Sequence, residues 1–215
     1  GGKVVDLPTS TVVNRHVPKE KFYTKTSVSS KLRQLFTDEI EKITWRGKIA
    51  PDTLNITADG YAELQVFEIA LKGSEISAPI LKHIDTFIPY PILFILKKTG
   101  STKAVISFKE STIKNENQMK VDTYFDTGWK DVLSLELKGR SVDEIYKNYL
   151  YQIAPQLRNA SQTTAKAAVE TNKVRDKLQK QIDAVNRQLA NEPSIAKRQE
   201  IARQRHELQE QLGQT

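Results

Sequence analysis

The feature that most constrains the fold is an abrupt change of texture near residue 157. Beyond it no Phe, Tyr or Trp occurs, and no glycine appears until Gly213. Ala, Gln, Lys, Arg and Glu dominate, all of them good helix formers. Val174, Leu178, Ile182, Val185 and Leu189 recur at steps of 4, 4, 3 and 4, the apolar stripe of a helix. Asn191-Glu192-Pro193-Ser194 interrupts the stripe, and Ile195, Ile201, Leu208 and Leu212 resume it. The pattern predicts a coiled-coil-like, antiparallel helical hairpin over residues 157–215. Its seam is thin. Val174, Leu178, Ile182, Val185, Leu189, Ile201, Leu208 and Leu212 are therefore expected to meet either the rest of the chain or another chain.

Residues 3–156 read differently, as one α+β or α/β domain with a mixed sheet flanked by helices. An extended arm over 3–28 leads to a first helix, with Leu32, Leu35, Phe36, Ile40 and Ile43 on one face. Ser29 or Ser30 caps its start, and Gly47 and Pro51 bracket its end. Strands are expected at Thr53–Thr57, Glu63–Leu71, Ile92–Lys97, Ala104–Phe108, Met119–Phe125 and Val132–Leu137. Pro79 opens a helix that buries Ile80, Leu81, Ile84, Phe87 and Ile88. Ser141-Val142-Asp143-Glu144 is a capping box that starts a further helix, ended by Pro155.

Composition removes several classes of function. The 215 residues contain no cysteine, which excludes disulfide scaffolds, thiolate metal sites and cysteine nucleophiles. The three histidines, His16, His83 and His206, lie far apart and show no ligand-pair spacing. The longest apolar run, Pro91–Leu96, is far too short to cross a bilayer. The N-terminus lacks a signal-peptide layout, and Gly1-Gly2 reads as an expression remnant. A cytoplasmic protein without a membrane partner is expected. The net charge of +7 is spread along the chain without a basic tail, which suits solubility and leaves room for DNA contact.

Several stretches together carry a family resemblance. They are Leu7-Pro8 with Ser10-Thr11, Asn14-Arg15 with Pro18-Lys19, and Phe22-Tyr23. Ile43-Thr44-Trp45-Arg46 with Lys48-Ile49-Ala50-Pro51, and Thr53-Leu54-Asn55-Ile56, continue the series. Val66-Phe67-Glu68-Ile69, Ile84-Asp85 with Ile88-Pro89-Tyr90, and Thr127 with Trp129 complete it. In this order they resemble the uncharacterised prokaryotic domain-of-unknown-function family 4391. That resemblance implies no established activity. It implies a gene neighbourhood of helicases and DNA methyltransferases of restriction or phage-defence type.

One constellation bears on chemistry. Pro51-Asp52 is followed sixteen residues past the Asp by Glu68-Ile69-Ala70. With the order helix, strand, strand, helix, strand, this resembles the core of restriction-endonuclease-like nucleases. In those enzymes a Pro-Asp and a Glu-x-Lys hold a hard divalent cation and position the attacking water. Here Ala70 occupies the lysine position, and Lys72 or Lys82 would have to substitute. The plain alternative pairs Glu68 with Arg46 or Lys48 and leaves Asp52 capping a turn. Trp45, Arg46 and Lys48 form a second candidate, an aromatic and two cations able to grip nucleic acid or an acidic partner. His83-Ile84-Asp85 reads as a solvated or locally satisfied helix surface, and Tyr90, Tyr124 and Trp129 as core aromatics.

The leading expectation is a non-catalytic accessory subunit of a prokaryotic DNA-directed defence or restriction-type complex. Its hairpin would dock on a larger partner, a helicase or DNA methyltransferase, or on a second copy of the chain. No cofactor is expected. A metal-dependent nuclease using Asp52, Glu68 and Lys72 with Mg2+, and a nucleic-acid-binding module using Trp45, Arg46 and Lys48, are the alternatives.

Overall fold

A computed structural model of the chain describes residues 4–24, 27–111, 119–158 and 164–215. The chain divides into two compact units, Gly1–Pro155 and Gln156–Thr215. The protein is α+β: the first unit carries a mixed sheet with helices, and the second is helical.

Helix α1 spans Ser30–Glu39, with the Ser29 hydroxyl accepting from Leu32 N at 3.1 Å. The apolar periodicity predicts a helix running on through Ile43, but the chain leaves it at Ile40 and enters strand β2, Ile40–Ile49. A register irregularity between Ile40 and Lys42 explains the mismatch. It lets two β-branched residues three apart both turn into the core from a strand, as they would from a helix. Both are fully buried.

The remaining strands are β1 (Val12–Val17), β3 (Leu64–Leu71), β4 (Ile92–Lys98), β5 (Ser101–Ser111) and β6 (Met119–Asp126). Their order in the six-stranded sheet is their order in the chain. Four pairings are antiparallel, and β3 with β4 is parallel, connected through helix α2 (Ala78–Phe87). The consecutive buried run Leu64–Ile69 is what a central strand covered on both faces requires. Of the expected strands, Thr53–Thr57 and Val132–Leu137 do not form. Thr53 closes a turn instead: its hydroxyl donates to Lys48 O at 2.8 Å, and the amides of Thr53 and Leu54 both reach Ala50 O at 3.0 Å. Val132 has no buried face to pair, and only Leu135 engages, in a bridge to Val5.

One face of the sheet packs under α1 and α2, with Phe36, Ile43, Phe67, Ile69, Phe94 and Leu96 in its core. The N-terminal arm supplies β1 and sends Phe22 into this core, 5.5 Å from Phe87 between ring centroids. Each such side chain is worth roughly 1.5–3 kcal/mol on burial. Asp85 departs from the expectation of a solvated or locally satisfied helix surface, because its partners come from other elements. It is buried, accepts from Tyr124 OH at 2.6 Å and Ser107 Oγ at 3.1 Å, and faces Lys109 Nζ at 3.0 Å. Lys109 also donates to the carbonyls of Ile88 and Tyr90. Burial alone raises this carboxyl; its Oδ2 accepts two hydrogen bonds, while Oδ1 has the Lys109 charge beside it without a well-aligned hydrogen bond. Helix α3 (Val142–Ile153) starts at the capping box, where Ser141 Oγ accepts from Glu144 N at 3.0 Å. Glu144 reaches back one residue further than the cap itself, to Arg140 N at 2.8 Å.

In the second unit, α4 (Ala165–Asn191) and α5 (Ile195–Gly213) are capped by the hydroxyls of Thr164 and Ser194. Arg205 bonds Asn186 at 3.2 Å and Arg175 bonds Thr215 O at 2.7 Å, which fixes the pair as antiparallel. Leu178 and Ile182 are buried; Val185, Leu189, Ile201, Leu208 and Leu212 are half-buried; Val174 is exposed. Among the described residues no helix is long and apolar enough to cross a membrane.

Candidate functional site

Alternation along β3 puts Val66, Glu68 and Ala70 on the sheet face opposite the α1–α2 core. In the parallel ladder Glu68 lies beside Ile95, and Ala70 beside Lys97. Lys97 therefore shares the face of Glu68 and reaches its Oε1 at 2.8 Å. The ammonium that Ala70 cannot offer comes from the neighbouring strand.

Arg46 arrives by a different device. Between Trp45–Phe67 and Gly47–Val66, β2 holds one residue more than β3, and that residue is Arg46. On the other side, β1 places Val13 and Asn14 against the same Arg46. Two bulges thus coincide on one residue, and bulges re-aim side chains. Trp45 keeps to the core side, stacked on Phe67, while Arg46 and Gly47 both serve the Glu68 face. Arg46 Nε bonds Glu68 Oε2, and its Nη1 donates to Asn14 Oδ1 at 2.9 Å. Among the described residues, Asn14 is the non-glycine residue with a positive φ, 49°. Asparagine enters this left-handed region at lower cost than most residues.

Burial pushes the Glu68 carboxyl up, but hydrogen bonds and charge from Arg46 and Lys97 outweigh it and hold the group below its ordinary value. Glu68, Arg46, Lys97 and Asn14 form the polar floor of a cavity of about 300 Å3. Val12, Val66 and Ile95 of the sheet and Val4, Val5 and Leu7 of the N-terminal segment wall it. That segment is fastened by Leu135 N, which donates to Val4 O at 2.8 Å, and it lies so close that a Cβ on Gly47 would meet Leu7 Cδ1 at 2.6 Å.

The other candidate residues lie elsewhere. Asp52 is exposed and paired with Lys48 at 2.9 Å. It follows the end of β2, where Ile49 pairs with Leu64. The four residue steps from Leu64 to Glu68 span about 13 Å. Asp52 is engaged by Lys48 and Glu68 by Arg46 and Lys97, so each acid has its own counter-charges. Among the described residues no group of three or more His, Asp or Glu side chains gathers to hold a metal ion. Lys72 donates to Thr37 O at 2.7 Å, at the end of α1. Trp45, Arg46 and Lys48 do not form one patch. Trp45 is half-buried, and its Nε1 donates to Gly47 O at 3.0 Å with the Arg15 guanidinium 5.8 Å from its ring. They lie on a strand, not at a helix end.

Sequence reasoning offers Arg46 as a partner for Glu68 but does not find Lys97 or Asn14. Lys97 is signalled only by strand register, and Asn14 only by a bulge. The site is a pair of cations braced by one carboxylate at the base of an apolar-walled hollow, an arrangement suited to binding.

No curated protein and no solved structure matches the chain. The sequence profile of a domain of unknown function, DUF4391, matches residues 5–212, which takes in both units, and the chain belongs to that family.

Proposed function

We propose that the protein is a non-catalytic accessory subunit of a prokaryotic DNA-directed defence or restriction-type complex, with the α4–α5 hairpin as its docking arm. The partner is a larger protein of the helicase or DNA methyltransferase class. The observation that carries this reading is the unclosed seam of the hairpin. Two helices bury Leu178 and Ile182 but leave five further apolar side chains half-covered and Val174 and Ile195 exposed. A third helix or a partner surface would complete the burial, at roughly 25 cal/mol for each Å2 of apolar area removed from water. The acids support the non-catalytic part. Both oxygens of Glu68 are held by cations, and Asp52 is engaged by Lys48.

The test is co-purification of the full chain with a candidate helicase and a candidate DNA methyltransferase from the same organism, read by size-exclusion chromatography with light scattering. Co-elution with one of them is expected, and it should be lost in Val174→Glu/Ile195→Glu with helix content unchanged by circular dichroism. Co-elution that survives the substitutions, or a chain that elutes at its own mass beside both proteins, removes the docking role. A dimer of the chain dissolved by the same substitutions would replace the larger partner with a second copy. DNA cleavage that requires Mg2+ or Mn2+ and disappears in Glu68→Gln would overturn the non-catalytic role.

A further inference from the structure

We propose that the cavity floored by Asn14, Arg46, Glu68 and Lys97 is a binding site for a small amphipathic monoanion, a carboxylate with an apolar body. The proposal stands independently of the docking role of the hairpin.

Charge comes first. Arg46 and Lys97 carry two positive charges and Glu68 one negative, so the floor holds a net +1 that one carboxylate neutralises. Exposure then orders the groups. The Glu68 side chain is 11% exposed, whereas Arg46 and Lys97 are 41% and 44% exposed. The acid is the base of the site, and the cations stand between it and the opening. Their donors are not used up. A guanidinium has five N–H groups and an ammonium three. Among the described residues, Arg46 commits Nε to Glu68 and Nη1 to Asn14, and Lys97 commits Nζ to Glu68. Arg46 Nη2 and the remaining Lys97 protons are left to bind a carboxylate, and charge-assisted bonds of this kind are the strong ones.

The surroundings favour the rest of such a ligand. The walls are valine, leucine and isoleucine side chains, and about 300 Å3 lies at the lower end of pockets that take small molecules. The backbone is also distorted at this arrangement. Two bulges and a left-handed Asn14 converge on Arg46, although a regular strand would pair the sheet better. Glu68 and Asn14 hold the guanidinium in place before a ligand arrives, which lowers the ordering cost of binding.

The test uses the full chain, labelled with 15N and titrated with sodium octanoate below its micelle concentration, with octan-1-ol and octylamine as controls. Saturable shifts are expected at the Asn14 side-chain amide, Arg46 Nε–H and the Val66 and Ile95 amides with octanoate, and no saturable shift with octylamine. Lys97→Met should weaken octanoate binding about tenfold or more, as removal of a charge-assisted hydrogen bond does. Glu68→Gln should tighten it, because the floor then carries +2. Should that variant lose its dispersed spectrum, the Lys97→Met comparison decides. The proposal is overturned if octanoate gives no saturable shift, if its shifts scatter away from the cavity, if octylamine binds as well, or if Lys97→Met leaves the affinity unchanged.

Discussion

Lys109 Nζ lies 3.0 Å from Asp85 Oδ1, and neither side chain has any exposed surface. The pair joins α2 to β5, and Tyr124 and Ser107 complete the coordination of the carboxylate. Removing one charge strands the other in a medium where it cannot be solvated. Asp85→Asn and Lys109→Met should each cost about 3–5 kcal/mol, whereas Asp85→Leu/Lys109→Met should cost less than either. Urea unfolding of the three variants measures this. Additive losses in the double variant would show that the two groups do not act as a unit.

The Tyr61 phenol donates to Lys109 O at 2.7 Å and packs edge-on to Tyr146. Burial, and then the charges of Asp143 and Glu110, push it up to about 12. In the unfolded chain it ionises near pH 10, at about the ordinary tyrosine value. Its folded value is the higher one, so its contribution to stability is complete below about pH 10 and is lost as pH rises through about 12. The urea midpoint of the native chain should therefore fall more steeply than that of Tyr61→Phe above pH 10. Parallel curves would refute the assignment.

For Glu68 the sign is reversed. Its folded value is depressed, so the stability it confers is present above about pH 4.3 and disappears as pH drops through the folded value. Carbon-detected titration of its carboxyl should place the midpoint below that of an ordinary glutamate. Lys97→Met removes one of its two cations and should move the midpoint upward. An unmoved midpoint would mean that Lys97 does not bear on the acid.

Gly47 sits where the N-terminal segment crosses the sheet. An added Cβ would lie 2.6 Å from Leu7 Cδ1 and 3.1 Å from the Thr11 carbonyl oxygen. Gly47→Ala should cost about 1–3 kcal/mol through overpacking. Leu7→Ala in the same chain should recover part of that loss, since the flexible side chain is the closer obstacle. Thermal melts of the single and double variants decide the matter, and a double variant as unstable as the sum of the singles would exclude this contact as the cause.

Where the local pattern and the tertiary environment agree, the sequence is readable. The capping box at Ser141 and Glu144 starts α3, the buried run Ile92–Leu96 is a central strand, and Pro193 falls in the break between the two long helices. The α+β mixed sheet follows from the same signals. The failures have one origin. Ile40 and Ile43 satisfy a helical period because a bulge hides the strand, and Thr53 carries β-branched character into a turn that its hydroxyl closes. The site suffered most from this. Glu68 stands out as an acid on an apolar face, but its cation at Lys97 depends on a parallel register set through α2. Asp85 found its counter-charge on β5, and nothing local to α2 announces a lysine there.

Because each strand's partner is its immediate predecessor or successor, the sheet can grow in the order of synthesis, one strand at a time. The fastening of Val4 and Val5 by Leu135 joins segments far apart in the chain, as does the bridge between Thr57 and Ser141. The hollow over Glu68 therefore gains its outer wall only after residue 135 has left the ribosome. A nascent chain shorter than this would carry the charged floor as an open surface, and the pocket can gain its wall before α3 completes the first unit.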